Sequence, residues 1–345
     1  MVTRRPTGPL DRTASVYTIP KIEPALTGQN QRQHPSSVRS EKTELVTSKP
    51  LLETSLPNPF HKGKVRDTYD LGDALLMVAT DRVSAFDSVL PTGIPGRGIV
   101  LAELSALWFK FSQVIIPNHY IGMAYETDVA EKYGLGDLDP EIGHRAMVVR
   151  KAERIDIECV IRGYLTGSAW AEYQRSGTMN SAPLPEGMQE SQEFGAPVFT
   201  PTTKAETGHD EPLTLEQLWD QVGGNIAWPL EEHSLALYDV AAGAAKEVGL
   251  ILADTKFEFG FIDGKLHLID EVLTPDSSRY WDVEGYQVGK PQPSFDKQII
   301  RDWLTEAGWN REPPAPELPD EIVQRTMDRY REVYSRLSGG KELPA

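Results

Sequence analysis

The chain of 345 residues contains a single cysteine, Cys159, so no disulfide can form within it and nothing points to an oxidising compartment. No run approaches the roughly 20 apolar residues that a membrane-spanning helix requires. Positive charge is scarce: 35 Lys and Arg stand against 51 Asp and Glu, a formal net charge of −16. Such a field repels polyanions and argues against a general nucleic-acid binder, although a local basic pocket can still hold a small anion. The sequence has no Gly-x-Ser-x-Gly elbow, and Cys159 lies in an apolar run that reads as a buried strand. Nucleophilic serine or cysteine catalysis therefore has no support. His and Cys nowhere take the spacing of a zinc site.

What is present suits a folded protein: 39% of residues are hydrophobic and 25% charged. The length allows one large domain or two to three smaller ones. Residues 1–48 differ from the rest. They are rich in Pro, Ser, Thr, Gln and Arg and lack a sustained apolar period, which predicts a disordered or loosely attached tail. The basic excess of residues 1–40 (Arg4, Arg5, Arg12, Lys21, Arg32 and Arg39 against Asp11 and Glu23) leaves organelle import as the alternative to a solvated tail on a cytoplasmic protein.

Beyond residue 49 the pattern predicts a β-rich part to about residue 150 and a larger mixed part over 151–345. Val65 to Leu71, Gly72-Asp73 and Ala74 to Thr80 read as strand, turn and strand. Leu101, Leu104, Leu107, Trp108 and Phe111 mark a helix over 98–116. Strands are expected at 146–149 and 155–161, a short helix over 163–176, and a surface loop over 179–203. Thr214 with Gln217 forms a capping-box signature for a helix running to Val222. Helices are further expected over 230–248, 296–307 and 320–337. The last two are separated by Pro313-Pro314-Ala315-Pro316, which a helix cannot cross. Strands and helices mix without strict βαβ alternation, which favours an α+β fold.

The segment Ile251–Ile262, followed by Asp263-Gly264 and Lys265–Glu271, carries the strongest chemical signal. Alternate side chains of a strand share a face, so Asp254, Lys256 and Glu258 point one way and Phe257, Phe259 and Phe261 the other. The side taken by Asp270 depends on the turn. A two-residue Asp-Gly loop puts it on the face opposite Glu258. A three-residue loop over 262–264 with Gly264 as a bulge pairs Lys256 with Asp270 and brings Glu258 and Asp270 together. The second is expected, because two carboxylates converging beside a lysine can hold Mg²⁺ against a polyphosphate. A solvated face with cross-strand ion pairs is the alternative.

Other segments are weaker signals on their own. In His61–Asp67, Gly63 is followed by Lys64 and Arg66 on one side of a strand, suiting either phosphates or solvent. Ser84 and Asp87 lie in Asp81–Asp87, a tight turn that either binds a ligand or caps a loop. Glu158 and Arg162 interrupt an apolar strand, and burying either charge unpaired is costly. They read either as a structural ion pair or, for Arg162 with Ser168, as a phosphate site. Ser278 and Arg279 form a second Ser/Arg anion candidate. Lys204, His209 and Asp210 sit in a segment dense in polar groups.

Taken together, these segments resemble the SAICAR synthetase family. The resemblance is carried by Gly63–Arg66, Asp81–Asp87, Glu158–Arg162 with Thr166-Gly167-Ser168, Thr200–Lys204, His209-Asp210, Asp254–Gly260, and Asp270-Glu271 through Pro275–Asp282. The segments occur in the family's order over about residues 58–305. The family signature usually has proline two residues before the glutamate, where this chain has Asp156; the difference touches the start of a strand more than the chemistry. Ser294-Phe-Asp-Lys297-Gln298 with Arg301-Asp302-Trp303 is similar to the longer, yeast-like form.

The resemblance implies an ATP-grasp-like fold with a small β-rich N-terminal subdomain over a larger mixed α/β part. It implies a ligase that uses ATP and Mg²⁺ to join L-aspartate to the carboxylate of carboxyaminoimidazole ribonucleotide through an acyl phosphate; a monomer is expected ahead of an oligomer, though the sequence does not fix the oligomeric state. Membranes and nucleic acids have no part in it. Glu258 and Asp270 would hold the metal, Lys64 and Arg66 the ATP phosphates, and the segment around Arg150 and Lys151 the adenine. Lys256 would meet the reacting carboxylate or phosphates. Arg162, Ser168 and Arg279 would hold the ribonucleotide 5′-phosphate, with Ser84, Asp87 and Ser278 as further substrate contacts. Lys204 and Asp210 would help with aspartate.

Overall fold

The computed structural model describes residues 49–204 and 210–344; the predicted tail and His209 lie outside the described residues. The architecture of the described residues is mixed, with two large antiparallel sheets, two small two-stranded ones, and helices packed against the large sheets.

The first sheet has five strands in the order Pro59–Lys62, Arg66–Asp70, Ala74–Ala79, Ala146–Arg150, Tyr120–Met123. Gly72 supplies the left-handed residue of its expected tight turn, with φ 91°, and the Leu71 amide donates to the Ala74 carbonyl at 3.0 Å. Period-2 alternation divides the sheet's two faces. Tyr69, Ala74, Leu76, Val78 and Val148 form a core with the helix residue Val129. Arg66, Thr68, Leu75, Met77 and Val149 point the other way, into a cleft. The helix Arg97–Ser112 is buried nearly all round, and Gly98 lets its first turn press against the Ala79 carbonyl, where a Cβ would clash.

The second sheet is built on the thirteen-residue strand Leu250–Ile262. Ile157–Tyr164 pairs along one side of it and Glu193–Phe199 lies outside that. On its other side Ser278–Asp282 pairs with the first half and Lys265–Ile269 with the second. Phe257, Phe259 and Cys159 enter the main core with Leu230, Leu237, Tyr238 and Ala241 of the helix Gly224–Glu247. The two sheets meet where Asn118 bridges Leu268.

The capping box at Thr214 forms as expected, and the last helix spans Asp320–Leu337. Two expectations change. The segment 179–203 is not merely a loop: Glu193–Phe199 is a strand, with Pro197 tolerated because the strand lies at the sheet's edge. The long helix starts at Gly224, six residues before Leu230, because Gly224 packs beneath the Trp219 ring and tertiary contact carries the helix past Pro229.

Candidate active site

The central strand places Asp254, Lys256 and Glu258 on one face and the buried Thr255, Phe257 and Phe259 on the other. Its hairpin partner has a different register from the expected one. Ile262 pairs with Lys265, leaving a two-residue loop of Asp263 and Gly264 with φ 51° and 72°. Asp-Gly suits the two left-handed positions of a type I′ turn, so no third loop residue is required. Glu258 is then opposite Ile269, and an unbroken ladder would turn Asp270 away from it. The ladder stops at Ile269 instead. Asp270 takes the left-handed conformation, with φ 69°, and its carboxylate joins Glu258 in the cleft.

This cleft of about 490 Å³ lies between the cleft-facing side of the first sheet and the charged face of the second. It gathers most of the sequence candidates: Lys64, Arg66, Ser84, Asp87, Arg150, Lys204, Asp210, Lys256, Glu258 and Asp270. Arg66 meets Asp270 at 2.6 Å, and Lys256 meets Glu158 at 2.8 Å. Lys204 pairs with Glu258 and lies 3.6 Å from Glu158. Glu158 and Arg162 thus do not pair with each other; each charge of that strand is met from across the sheet. Lys64 pairs with Asp87 at 3.0 Å, and Arg150 with Asp263 at 2.6 Å.

The two carboxylates sit in opposite electrostatic states. Burial and the neighbouring Asp270 charge push Glu258 up to about 7, against the pull of Lys204 and Lys256. Burial would also raise Asp270, but the Arg66 charge and hydrogen bond outweigh it and hold this acid well below the usual carboxylate range. Lys256 loses solvation yet stays protonated well above the lysine norm, because Glu158 and Glu258 face it.

A second cluster lies farther along the same strand. Arg279 Nη1 donates to Asp254 at 2.8 Å and Arg162 Nη1 to the same oxygen at 3.3 Å. Arg162 Nη2 donates to Ser168 Oγ at 3.2 Å, in the first turn of the helix Gly167–Ser176. The unmet amides of a helix N-terminus favour an anion there. Ser278 does not join this cluster. It is opposite Thr255 in the ladder, on the buried face, and the two hydroxyls are 2.8 Å apart. Lys151 also stays outside the cleft lining, pairing with Asp70 at 2.8 Å.

The cleft contains residues to which sequence reasoning gave no role: His119, Glu271, Asp276 and Lys297. Lys297 Nζ donates to Asp276 at 3.1 Å, and the fully buried Arg97 pairs with the same carboxylate. The segment Ser294–Gln298 was the available signal for Lys297, but nothing local links it to a loop twenty residues earlier.

Do these residues fit Mg²⁺? Among the described residues no group of three or more His, Cys, Asp or Glu is placed to hold a metal. Mg²⁺ commonly takes one or two carboxylates and completes its octahedron with water and substrate phosphates, which matches Glu258 and Asp270. Burial first and the neighbouring Asp270 charge second raise Glu258, and a divalent cation would relieve the second of these. Arg66 Nη1 is buried and has no hydrogen-bond partner among the described residues, which leaves a donor for a phosphate oxygen beside the pair.

The family model for SAICAR synthetase matches residues 59–316. A phosphoribosylaminoimidazole-succinocarboxamide synthase from Elusimicrobium minutum is 48% identical over 281 residues, covering 81% of this chain and 95% of the relative. One from Thermodesulfovibrio yellowstonii is 48% identical over 290 residues, covering 84% and 98%. Among solved structures, the SAICAR synthase of Saccharomyces cerevisiae complexed with SAICAR superposes with a TM-score of 0.76 at 40% identity, covering 84% of this chain and 99% of that one.

Proposed function

The chain belongs to the SAICAR synthetase family and is an ATP-dependent ligase that joins L-aspartate to carboxyaminoimidazole ribonucleotide in purine biosynthesis; from that premise we propose how its residues divide the work.

The two sheets facing across the cleft are read as an ATP-grasp-like arrangement. The β-rich part to about residue 150 and the mixed part beyond supply opposite walls. The adenine lies among Leu75, Met77, Val149 and Ile269, next to Arg150. Lys64 and Arg66 run along the phosphates, the latter through its open Nη1. Glu258 and Asp270 hold Mg²⁺, which when bound neutralises and orients the transferring phosphate oxygens.

The ribonucleotide lies along the charged face of the central strand. Arg162, Ser168 and Arg279 take its 5′-phosphate. Lys256, held by Glu158, meets the carboxylate at the other end. Asp254 and Glu258 are four residues apart, about 13 Å along a strand, a span that suits a nucleotide monophosphate with its reacting group beside the metal. That span, with a metal-type acid pair at one end and a Ser/Arg phosphate cluster at the other, is the observation that carries the assignment.

A carboxylate accepts an amine only once one of its oxygens is a leaving group. Transfer of the γ-phosphoryl group to the carboxylate gives an acyl phosphate and ADP. The aspartate amine then attacks the carbonyl carbon, the C–N bond forms, the C–O bond breaks and phosphate departs. All participants are anions, so the cationic side chains lower the cost of gathering them, and positioning supplies much of the rate. Asp210 lines the cleft with Lys204 and is assigned with it to aspartate. Because Lys204 also neutralises Glu258, its role is shared between substrate and metal site.

ADP release by the purified chain, with Mg-ATP, L-aspartate and the ribonucleotide each omitted in turn, tests the reaction. Release that needs all three, with the product carrying aspartate, is expected. Release without aspartate or the ribonucleotide would contradict the assignment.

A further inference from the structure

The turn that carries Lys64 into the cleft is held from behind by the segment 80–82. The Gly63 amide donates to the Arg66 carbonyl at 2.7 Å and closes the turn, with Lys64 and Val65 at its tip. Arg82 Nη2 donates to the Gly63 carbonyl at 3.0 Å and Nε to the Lys64 carbonyl at 3.1 Å. The Thr80 amide and hydroxyl donate to the Val65 carbonyl at 3.0 and 2.8 Å. The Arg82 guanidinium is itself anchored. It pairs with the fully buried Asp67 at 2.7 Å, and Nη1 donates to the Leu52 carbonyl and, at 3.4 Å, to the second Asp67 oxygen. All five of its N–H donors thus have an acceptor. Asp67 is fixed in turn by the Thr54 amide at 3.1 Å and hydroxyl at 2.7 Å.

A trans peptide puts its carbonyl oxygen and the following N–H on opposite sides. With the Gly63 and Lys64 carbonyls drawn back to Arg82, the amides of Lys64 and Val65 face away from it. Gly63, Lys64 and Val65 line the cleft, and Arg82 does not. Among the described residues no acceptor meets either amide. Successive main-chain N–H groups left open in a turn make a concavity for an anion. The Lys64 ammonium, by contrast, is half exposed and pairs with Asp87, so it is placed independently of Arg82.

We propose that Arg82 is a positioning residue: by holding the carbonyls of Gly63 and Lys64, it presents the main-chain amides of Lys64 and Val65 to the ATP phosphates. A planar fork of five donors can span two successive carbonyls and a carboxylate at once, which the compact ammonium of a lysine cannot. The proposal rests on the reading of the Lys64–Arg66 segment as the phosphate wall of the cleft.

The test is equilibrium dialysis of the full-length protein against ATP, ADP and adenosine at fixed Mg²⁺. Arg82→Lys keeps a charge beside Asp67 and gives up the hold on the two carbonyls. It is expected to weaken ATP and ADP at least tenfold while adenosine stays within twofold, because adenosine has no phosphate for the amides to meet. Should that variant not fold, Arg82→Met combined with Asp67→Asn replaces it. That pair leaves no buried charge unpaired and fills a similar length, and the same selective loss is expected. Lys64→Ala combined with Arg66→Gln separates the two levels of inference. If it lowers the ratio of ATP to adenosine affinity while the Arg82 variant leaves that ratio unchanged, the positioning role is overturned and the phosphate wall stands. If it leaves the ratio unchanged, the phosphate reading falls and the proposal with it. A loss in the Arg82 variant that adenosine shares equally would mark general damage to the cleft and would also overturn the role.

Discussion

Arg66 and Asp270 are 204 positions apart in the chain and meet at 2.6 Å across the cleft. One comes from a hairpin of the first sheet and the other from the turn that ends a strand of the second, so the contact joins the two walls at the proposed metal site. Arg66 faces the cleft because residues 66 and 68 alternate with the buried Asp67 and Tyr69. Asp270 faces it because its backbone leaves the ladder.

Asp270→Asn preserves the shape of this contact and removes the charge. Turnover should fall by about 10² to 10³, the size typical of losing one charge-stabilising group in a closed site. The melting temperature should hold within a few degrees, since the amide oxygen still accepts from Arg66. Near-normal kcat measured at saturating Mg²⁺ would contradict the metal assignment.

The pH dependence should follow Glu258. Its folded value, about 7, lies above the ordinary 4.5, so in the absence of ligands the group disfavours the folded state as pH rises through that window and its proton leaves. Mg²⁺ reverses the preference by binding the ionised form. At low Mg²⁺ the acid limb of kcat/KM should fall near pH 7, and raising Mg²⁺ should move it to lower pH. A limb that stays fixed while Mg²⁺ is varied a hundredfold would show that another group controls it.

Arg279→Ala should raise KM for the ribonucleotide by about 10- to 100-fold, the worth of one charge-assisted hydrogen bond to phosphate. Its effect on KM for ATP should be small, because Arg279 lies outside the lining of the nucleotide cleft. The nucleoside without its 5′-phosphate should lose little further affinity in this variant. Equal penalties for the two substrates would remove Arg279 from the phosphate site. Asp254 holds Arg279 and Arg162 together, so Asp254→Asn should act in the same direction more weakly.

Arg97→Leu tests stability rather than chemistry. Arg97 is fully buried, pairs with Asp276 and also donates to the Thr80 and Arg82 carbonyls at 3.1 and 2.7 Å. Removing one partner of a buried pair leaves the other charge exposed to a poor environment and costs about 3–5 kcal/mol. Tyr330 and Lys297 also hydrogen-bond Asp276, so the loss should sit toward the lower end. Urea unfolding should show a lower midpoint; an unchanged midpoint would mean that the pair adds nothing net.

Several features were legible without coordinates because they depend on neighbours in sequence. Alternation alone separated Asp254, Lys256 and Glu258 from Phe257 and Phe259. The capping box at Thr214 and Gln217, the turn at Gly72 and the limits of the helix Asp320–Leu337 likewise follow from local backbone preference and local hydrogen bonds. The single cysteine and the charge balance excluded a disulfide framework and argued against a general nucleic-acid binder, and the ordered set of motifs carried the resemblance to a ligase family.

Only tertiary structure decided the rest. The side taken by Asp270 depended on a two-residue turn and on one left-handed backbone position, and a single-residue change in register reverses the face of every side chain. Ser278 falls beside Arg279 in sequence but on the opposite face of its strand. The strand Glu193–Phe199 exists because Ile157–Tyr164 offers it an edge, and His119, Asp276 and Lys297 reach the cleft through segments distant in the chain. Local preference repeats along a sequence and can be read there. A pairing between remote strands, or a charge that settles only where its partner is buried, leaves no comparable period to read.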